Sequence, residues 1–168
     1  MVIRVALFAG FIFFLSQAGN AQAFLGLFGR HEAVNAQTEE VFLEAADLAP
    51  GGSRFYKIEQ GGALVKFFVV RDRSNKLHAA LDACEVCWHE GKGYEPDKGA
   101  MRCVNCGQMF PLQNIGLKKG GCNPHPIPFT SIQDAAQDSS PNASSDKRVS
   151  IKVADLLAGA RYFPENAR

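Results

Sequence analysis

Residues 54–71 read R-F-Y-K-I-E-Q-G-G-A-L-V-K-F-F-V-V-R, and the reading of this stretch decides the fold. Arg54 to Glu59 and Ala63 to Arg71 are rich in aromatic and β-branched residues, and Gln60-Gly61-Gly62 separates them. Such runs suit a pleated, packed surface, and a glycine pair supplies the positive φ that a tight hairpin turn demands. The spacing predicts a β-hairpin. Working outward, Asp72-Arg73-Ser74-Asn75 predicts a second turn, and Lys76 to Leu81 a short strand that delivers the chain to Asp82-Ala83-Cys84. On the other side, Val41 to Ala49 predicts a strand ending at the turn Pro50-Gly51-Gly52.

Towards the C-terminus Val149 to Val153 alternates as a strand, and Ala154 to Gly159 reads as one or two helical turns closed by glycine. Residues 131–147 read as a polar, serine-rich stretch and are expected to form a surface loop. From Cys84 to Pro128 glycine, proline and asparagine are frequent and no period persists, so this long stretch is expected to lack regular structure and to be organised by a metal. The expectation is a mainly β fold: a small antiparallel β domain with two metal-binding CxxC loops and little helix.

The N-terminus reads M-V-I-R, then an apolar run from Val5 to Leu15, then a polar stretch closing on Ala21-Gln22-Ala23. A basic start, a short apolar core and small residues at the cleavage positions describe a secretory signal peptide, residues 1–23. An uncleaved anchor is the alternative, because Phe24 to Phe28 adds further apolar residues. Residues 24–39 read as a flexible tether and 40–168 as a single metal-binding redox domain. The expected location is the periplasm or beyond, with membrane proximity through the N-terminal segment if it stays attached. Removing Arg4 with the signal leaves basic and acidic side chains equal at 17 each, which gives nucleic-acid binding no electrostatic support.

All five cysteines lie between Cys84 and Cys122. In a CxxC turn both sulfurs reach one centre while backbone amides point at them, and two such turns make a four-thiolate cage. Cys84-Glu85-Val86-Cys87 and Cys103-Val104-Asn105-Cys106 stand fifteen residues apart, a spacing that reads as a four-cysteine metal site. Iron-sulfur and zinc both suit four thiolates. Trp88, Tyr94, Met101, Met109 and Phe110 crowd the ligand loops, as an apolar shell around a cluster would or as ordinary core packing would. Gly120-Gly121-Cys122-Asn123-Pro124 is a tight turn that can bring a fifth sulfur to the cage, as a ligand, a redox-active thiol or a buried small residue. His89 and His125 are candidate ligands by proximity to the motifs, while His31 and His78 have no such context. Thiol-disulfide exchange is the rival from another class, since exported CxxC pairs perform it. Haem attachment is excluded because His89 falls one residue too late for CxxCH. No catalytic triad, paired-carboxylate site or phosphate loop emerges, so an electron carrier fits better than a catalyst with its own substrate.

Gly107-x-x-Phe110-Pro111 after the second pair gives a short resemblance to the two-loop scaffold of Rieske proteins, although Cys87 and Cys106 stand where histidine ligands would be expected. A longer resemblance runs from about Phe55 to Tyr162-Phe163. Asp82-Ala83-Cys84-Glu85-Val86-Cys87-Trp88, Lys92-Gly93-Tyr94, Cys103-Val104-Asn105-Cys106-Gly107-Gln108-Met109-Phe110, Ile115-Gly116 and Gly120 to Pro128 are similar to the FtrD-like membrane iron-sulfur proteins. That resemblance implies an electron-transfer role beside a ferrous-iron uptake system, with the cysteines as ligands of an iron-sulfur cluster and a membrane transporter or redox protein as partner. Larger members of that family carry several membrane helices ahead of this domain, whereas this chain has a signal-like segment.

Overall fold

The computed structural model describes residues 29–132 and 148–166. The signal segment, residues 24–28, residues 133–147 of the expected polar loop and residues 167–168 lie outside the described residues, while Ser131 and Ile132, the first two residues of that expected loop, belong to a strand.

Strands β3 (Ser53–Gln60) and β4 (Ala63–Arg71) form the expected hairpin, with Gln60 opposite Ala63. Gly61 and Gly62 both take positive φ, 60° and 78°, the two-residue turn whose twist matches the flanking strands. β5 (Leu77–Leu81) adds antiparallel to β4 after the Asp72–Asn75 turn. β1 (His31–Ala33) completes this four-stranded sheet by pairing parallel to β3, His31 opposite Phe55. The tether stretch therefore contains a strand, and the sheet is antiparallel only from β3 to β5.

Both faces of this sheet are covered, which is why Phe67 to Val70 is an unbroken buried run rather than an alternating one. Tyr56, Val65, Phe67 and Leu81 point into one core. Across that core lies a second sheet in the order β2 (Glu40–Glu44), β10 (Arg148–Lys152), β9 (Thr130–Ile132), and β10 leads into α1 (Val153–Leu157), the one α-helix among the described residues. Strand β2 is shorter than the 41–49 run; the chain turns after Glu44 because Arg71 draws the Ala45 and Leu48 carbonyls inward. The opposite face presents Phe55, Phe68, Val70 and Ala80 to a second core.

That second core rests on a three-stranded antiparallel sheet, β6 (Tyr94–Asp97), β7 (Ala100–Cys103) and β8 (Met109–Pro111). The 84–128 stretch is thus not without regular structure. Its strands are only three or four residues long, too short to show a period, and they pair because Tyr94, Met101 and Phe110 bury themselves under β4. Each such side chain, fully buried, contributes roughly 1.5–3 kcal/mol. No helix among the described residues is long and apolar enough to cross a membrane.

The Asp72 turn has a pH signature. Its carboxylate accepts from the Lys76 amide at 2.9 Å and lies 2.9 Å from His78 Nε2. Burial acts to raise its pKa, but the His78 and Lys76 bonds outweigh it and hold the value below the ordinary 3.8. A depressed folded value means that the contribution to stability is complete above 3.8 and is lost as pH falls through the folded value. The stability gap between native protein and Asp72→Asn is expected to shrink on acidification below 3.8, read from thermal melts across acidic pH. A gap unchanged by acid would contradict this account.

Candidate metal centre

The first cysteine loop begins where β5 ends, and its position is set by the segment that carries the fifth cysteine. Leu81 donates its amide to the His125 carbonyl at 2.9 Å, His125 donates to Ala83 at 3.1 Å, and Ala80 bridges Pro126. This short antiparallel zipper lays residues 122–126 alongside the start of the loop. Within the loop the Cys87 amide donates to Cys84 Sγ at 3.1 Å, the contact expected where a CxxC turn stabilises sulfur charge.

The second loop is the β7–β8 turn. Cys103 lies opposite Tyr94, the Cys103 amide donates to the Gln108 carbonyl and the Gly107 amide returns to Cys103, both at 2.9 Å. These bonds fold Cys106 back over Cys103. All five cysteines are free thiols in this structure.

The sulfurs collect in two overlapping groups, Cys84 with Cys87 and Cys122, and Cys87 with Cys103 and Cys106, each within 4.8 Å of one another. Cys87 belongs to both. Its sulfur lies 3.7 Å from that of Cys122, so the glycine-rich turn does bring the fifth thiol to the cage. Cys84 and Cys103 are buried in the second core, Cys87 and Cys122 pack against its edge, and Cys106 is exposed. Burial pushes the Cys103 thiol up to about 12. Cys106 is held below the ordinary thiol range chiefly by the Gln108 amide. Burial, then the neighbouring Cys106 and Cys87, raise Cys122. Coordination would remove these protons outright, because a bound cation stabilises thiolate far more than burial disfavours it.

Of the aromatic and sulfur-bearing shell, Tyr94, Met101 and Phe110 form the floor under the sulfurs, Trp88 packs against the other core, and Met109 is on the surface. Neither candidate histidine joins a sulfur group among the described residues. His89 stacks on Trp88, ring centroids 3.7 Å apart. His125 packs on Tyr162 with Nδ1 3.6 Å from Glu85, and its pKa is lowered by burial first and by Lys119 second.

Asp82, Tyr94, Gly93, Arg30 and His31 hold the frame. Asp82, two positions before Cys84, is buried and accepts from the Tyr94 amide at 2.7 Å, from Arg30 at 2.6 Å and from His31 Nε2 at 2.8 Å. An unpaired carboxylate at this depth would cost several kcal/mol. Gly93, at φ 65°, lies so close that a Cβ there would sit 2.4 Å from Asp82 Oδ1, so the carboxylate fits only against a glycine. Tyr94 is neutral, its pKa raised by burial and then by Cys84, and it donates its hydroxyl to the Cys122 carbonyl at 2.6 Å. An aspartate inside the apolar run A-A-L-D-A-C was a legible signal for Asp82. Nothing local marked Arg30 or His31.

The donor set suits an iron-sulfur cluster: soft thiolates from two loops, amides directed at sulfur, a dry apolar floor and one exposed edge. The family model for FtrD-like membrane iron-sulfur containing proteins matches residues 48–163, a span that includes all five cysteines and begins after Arg30 and His31. No curated protein and no solved structure matches the chain.

Proposed function

Because the chain belongs to the FtrD-like family of membrane iron-sulfur containing proteins, we propose that it is an exported electron carrier whose cluster is held by Cys84, Cys87, Cys103 and Cys106, with Cys122 beside them. The observation that supports this most is the gathering of five free thiols, from three separate segments, over one apolar floor. Bound there, an iron-sulfur cluster supplies one-electron redox chemistry.

The residues divide the remaining work. Cys84 and Cys103 anchor the buried side, and the floor of Tyr94, Met101 and Phe110 keeps water from beneath the sulfurs. Cys106 is exposed, and so is Val86 between the first two ligands, so a partner approaches the centre from this edge. The partner in this reading is a membrane transporter or redox protein at the periplasmic face, serving ferrous-iron uptake. The N-terminal apolar segment provides export and, if retained, attachment.

Iron and acid-labile sulfide should be measured, with a visible spectrum, on protein purified without oxygen. Matching iron and sulfide, with colour that bleaches on reduction and is lost in the Cys103→Ser/Cys106→Ser double variant, is the expected result. About one zinc per chain with neither sulfide nor colour would overturn the reading and make the cysteines a structural clasp.

A further inference from the structure

Arg30 bonds two segments that the sequence keeps far apart. One guanidinium nitrogen donates to Asp82 at 2.6 Å, just ahead of Cys84; another donates to the Tyr94 carbonyl, on the strand residue paired with Cys103. His31 adds a second bond to Asp82 at 2.8 Å. Tyr94 extends the network to the third cysteine segment through its hydroxyl on the Cys122 carbonyl. All three sulfur-bearing segments therefore meet at the pair Asp82–Tyr94, and the basic groups that close this junction come from residues 30 and 31. Both are seated rather than trailing: β1 pairs with β3, the guanidinium carbon lies 4.4 Å from the centroid of the Phe55 ring, and His31 meets the same ring edge-on at 5.6 Å.

We infer that Arg30 and His31 form an N-terminal latch that positions the cysteine loops for metal, an element lying outside the span the family model matches. Asp82 accepts the Tyr94 amide, and among the described residues it is Arg30 that spans both Asp82, just ahead of the first loop, and the carbonyl side of β6. With it in place the sulfurs are held near each other before metal arrives, and less ordering remains to be done on binding. Without the latch the bridge from Asp82 to the Tyr94 carbonyl is lost, and Asp82 keeps a buried charge with no basic partner from residues 30 and 31. Arg30 and His31 are positioning residues, acting through Asp82 and Tyr94.

The inference concerns the sulfur site and rests on the cysteines being metal ligands, not on which metal they take. Cobalt(II), whose bonds to thiolate give intense visible bands, is therefore the probe, added without oxygen to reduced, metal-free protein. In the Arg30→Ala/His31→Ala double variant cobalt affinity is expected to fall by about tenfold or more, the range found when residues that orient metal ligands are removed. Arg30→Lys, with one point charge in place of a two-sided fork, is expected to recover part of that loss. A circular-dichroism melt of the metal-free protein separates positioning from folding, since a purely structural role lowers the melting temperature yet leaves the affinity of folded protein unchanged. Unchanged cobalt affinity in folded double variant overturns the latch. If that variant does not fold, His31→Gln takes its place, with a fall of about threefold expected because the glutamine amide keeps only part of the bond to Asp82, and no fall overturning the latch. Zinc in the native protein would defeat the iron-sulfur reading and leave this result standing.

Discussion

Protein carrying Cys87→Ser is expected to retain less than about a tenth of the metal held by the native chain, a loss at least as large as removing a residue that merely orients a ligand produces. Cys87 is the residue shared by both sulfur groups, so its removal leaves Cys84 with Cys122 on one side and Cys103 with Cys106 on the other. Neither remaining pair offers the four thiolates that common clusters or structural zinc require. Serine is close to cysteine in size, so the loop should still fold and the loss should reflect ligand chemistry. Cys122→Ser is expected to cost less, because Cys122 belongs to one group and its carbonyl remains to accept from Tyr94. Metal per chain in the two variants, by elemental analysis of anaerobically purified protein, makes the comparison. An equal loss in both would promote Cys122 to a full ligand and require the set of four to be redrawn.

Arg71→Leu is expected to destabilise the domain by about 3–5 kcal/mol, the range for breaking a buried charged network. The Arg71 side chain is fully buried at the end of β4 and donates to the carbonyls of Leu48 at 2.7 Å, Ala45 at 2.8 Å and Asn75 at 3.0 Å. Leucine fills part of the volume but leaves those carbonyls facing an apolar group, each at a cost of about 1–3 kcal/mol where water cannot reach it. For a domain of this size the melting temperature should fall by roughly 10 °C or more. Denaturant unfolding of metal-free native and variant protein measures the change without a contribution from metal. A difference within about 0.5 kcal/mol, typical of a surface position, would show that the 45–52 turn does not depend on Arg71.

These two residues also mark the line between local and distant information. The β3–β4 hairpin could be read from residues 54–71 because a glycine pair between two β-rich runs is a local instruction: it sets the turn, the turn sets the register, and the register sends Phe67 and Phe68 to opposite faces. The two CxxC pairs were legible for the same reason, since a four-residue turn is enough to aim two sulfurs at one point. Strands β6 to β8 were not legible, because three or four residues show no alternation and their pairing is driven by burial beneath a sheet formed elsewhere in the chain. Sequence by itself thus determined the class of the fold, the central hairpin and the thiolate chemistry of the site. Only the tertiary structure decided that Cys122 lies beside Cys87, through a zipper between residues 80–83 and 125–126, and that Arg30 and His31 close on Asp82. Contacts across 35 and 52 residues follow from how separate elements pack, and no local propensity encodes them.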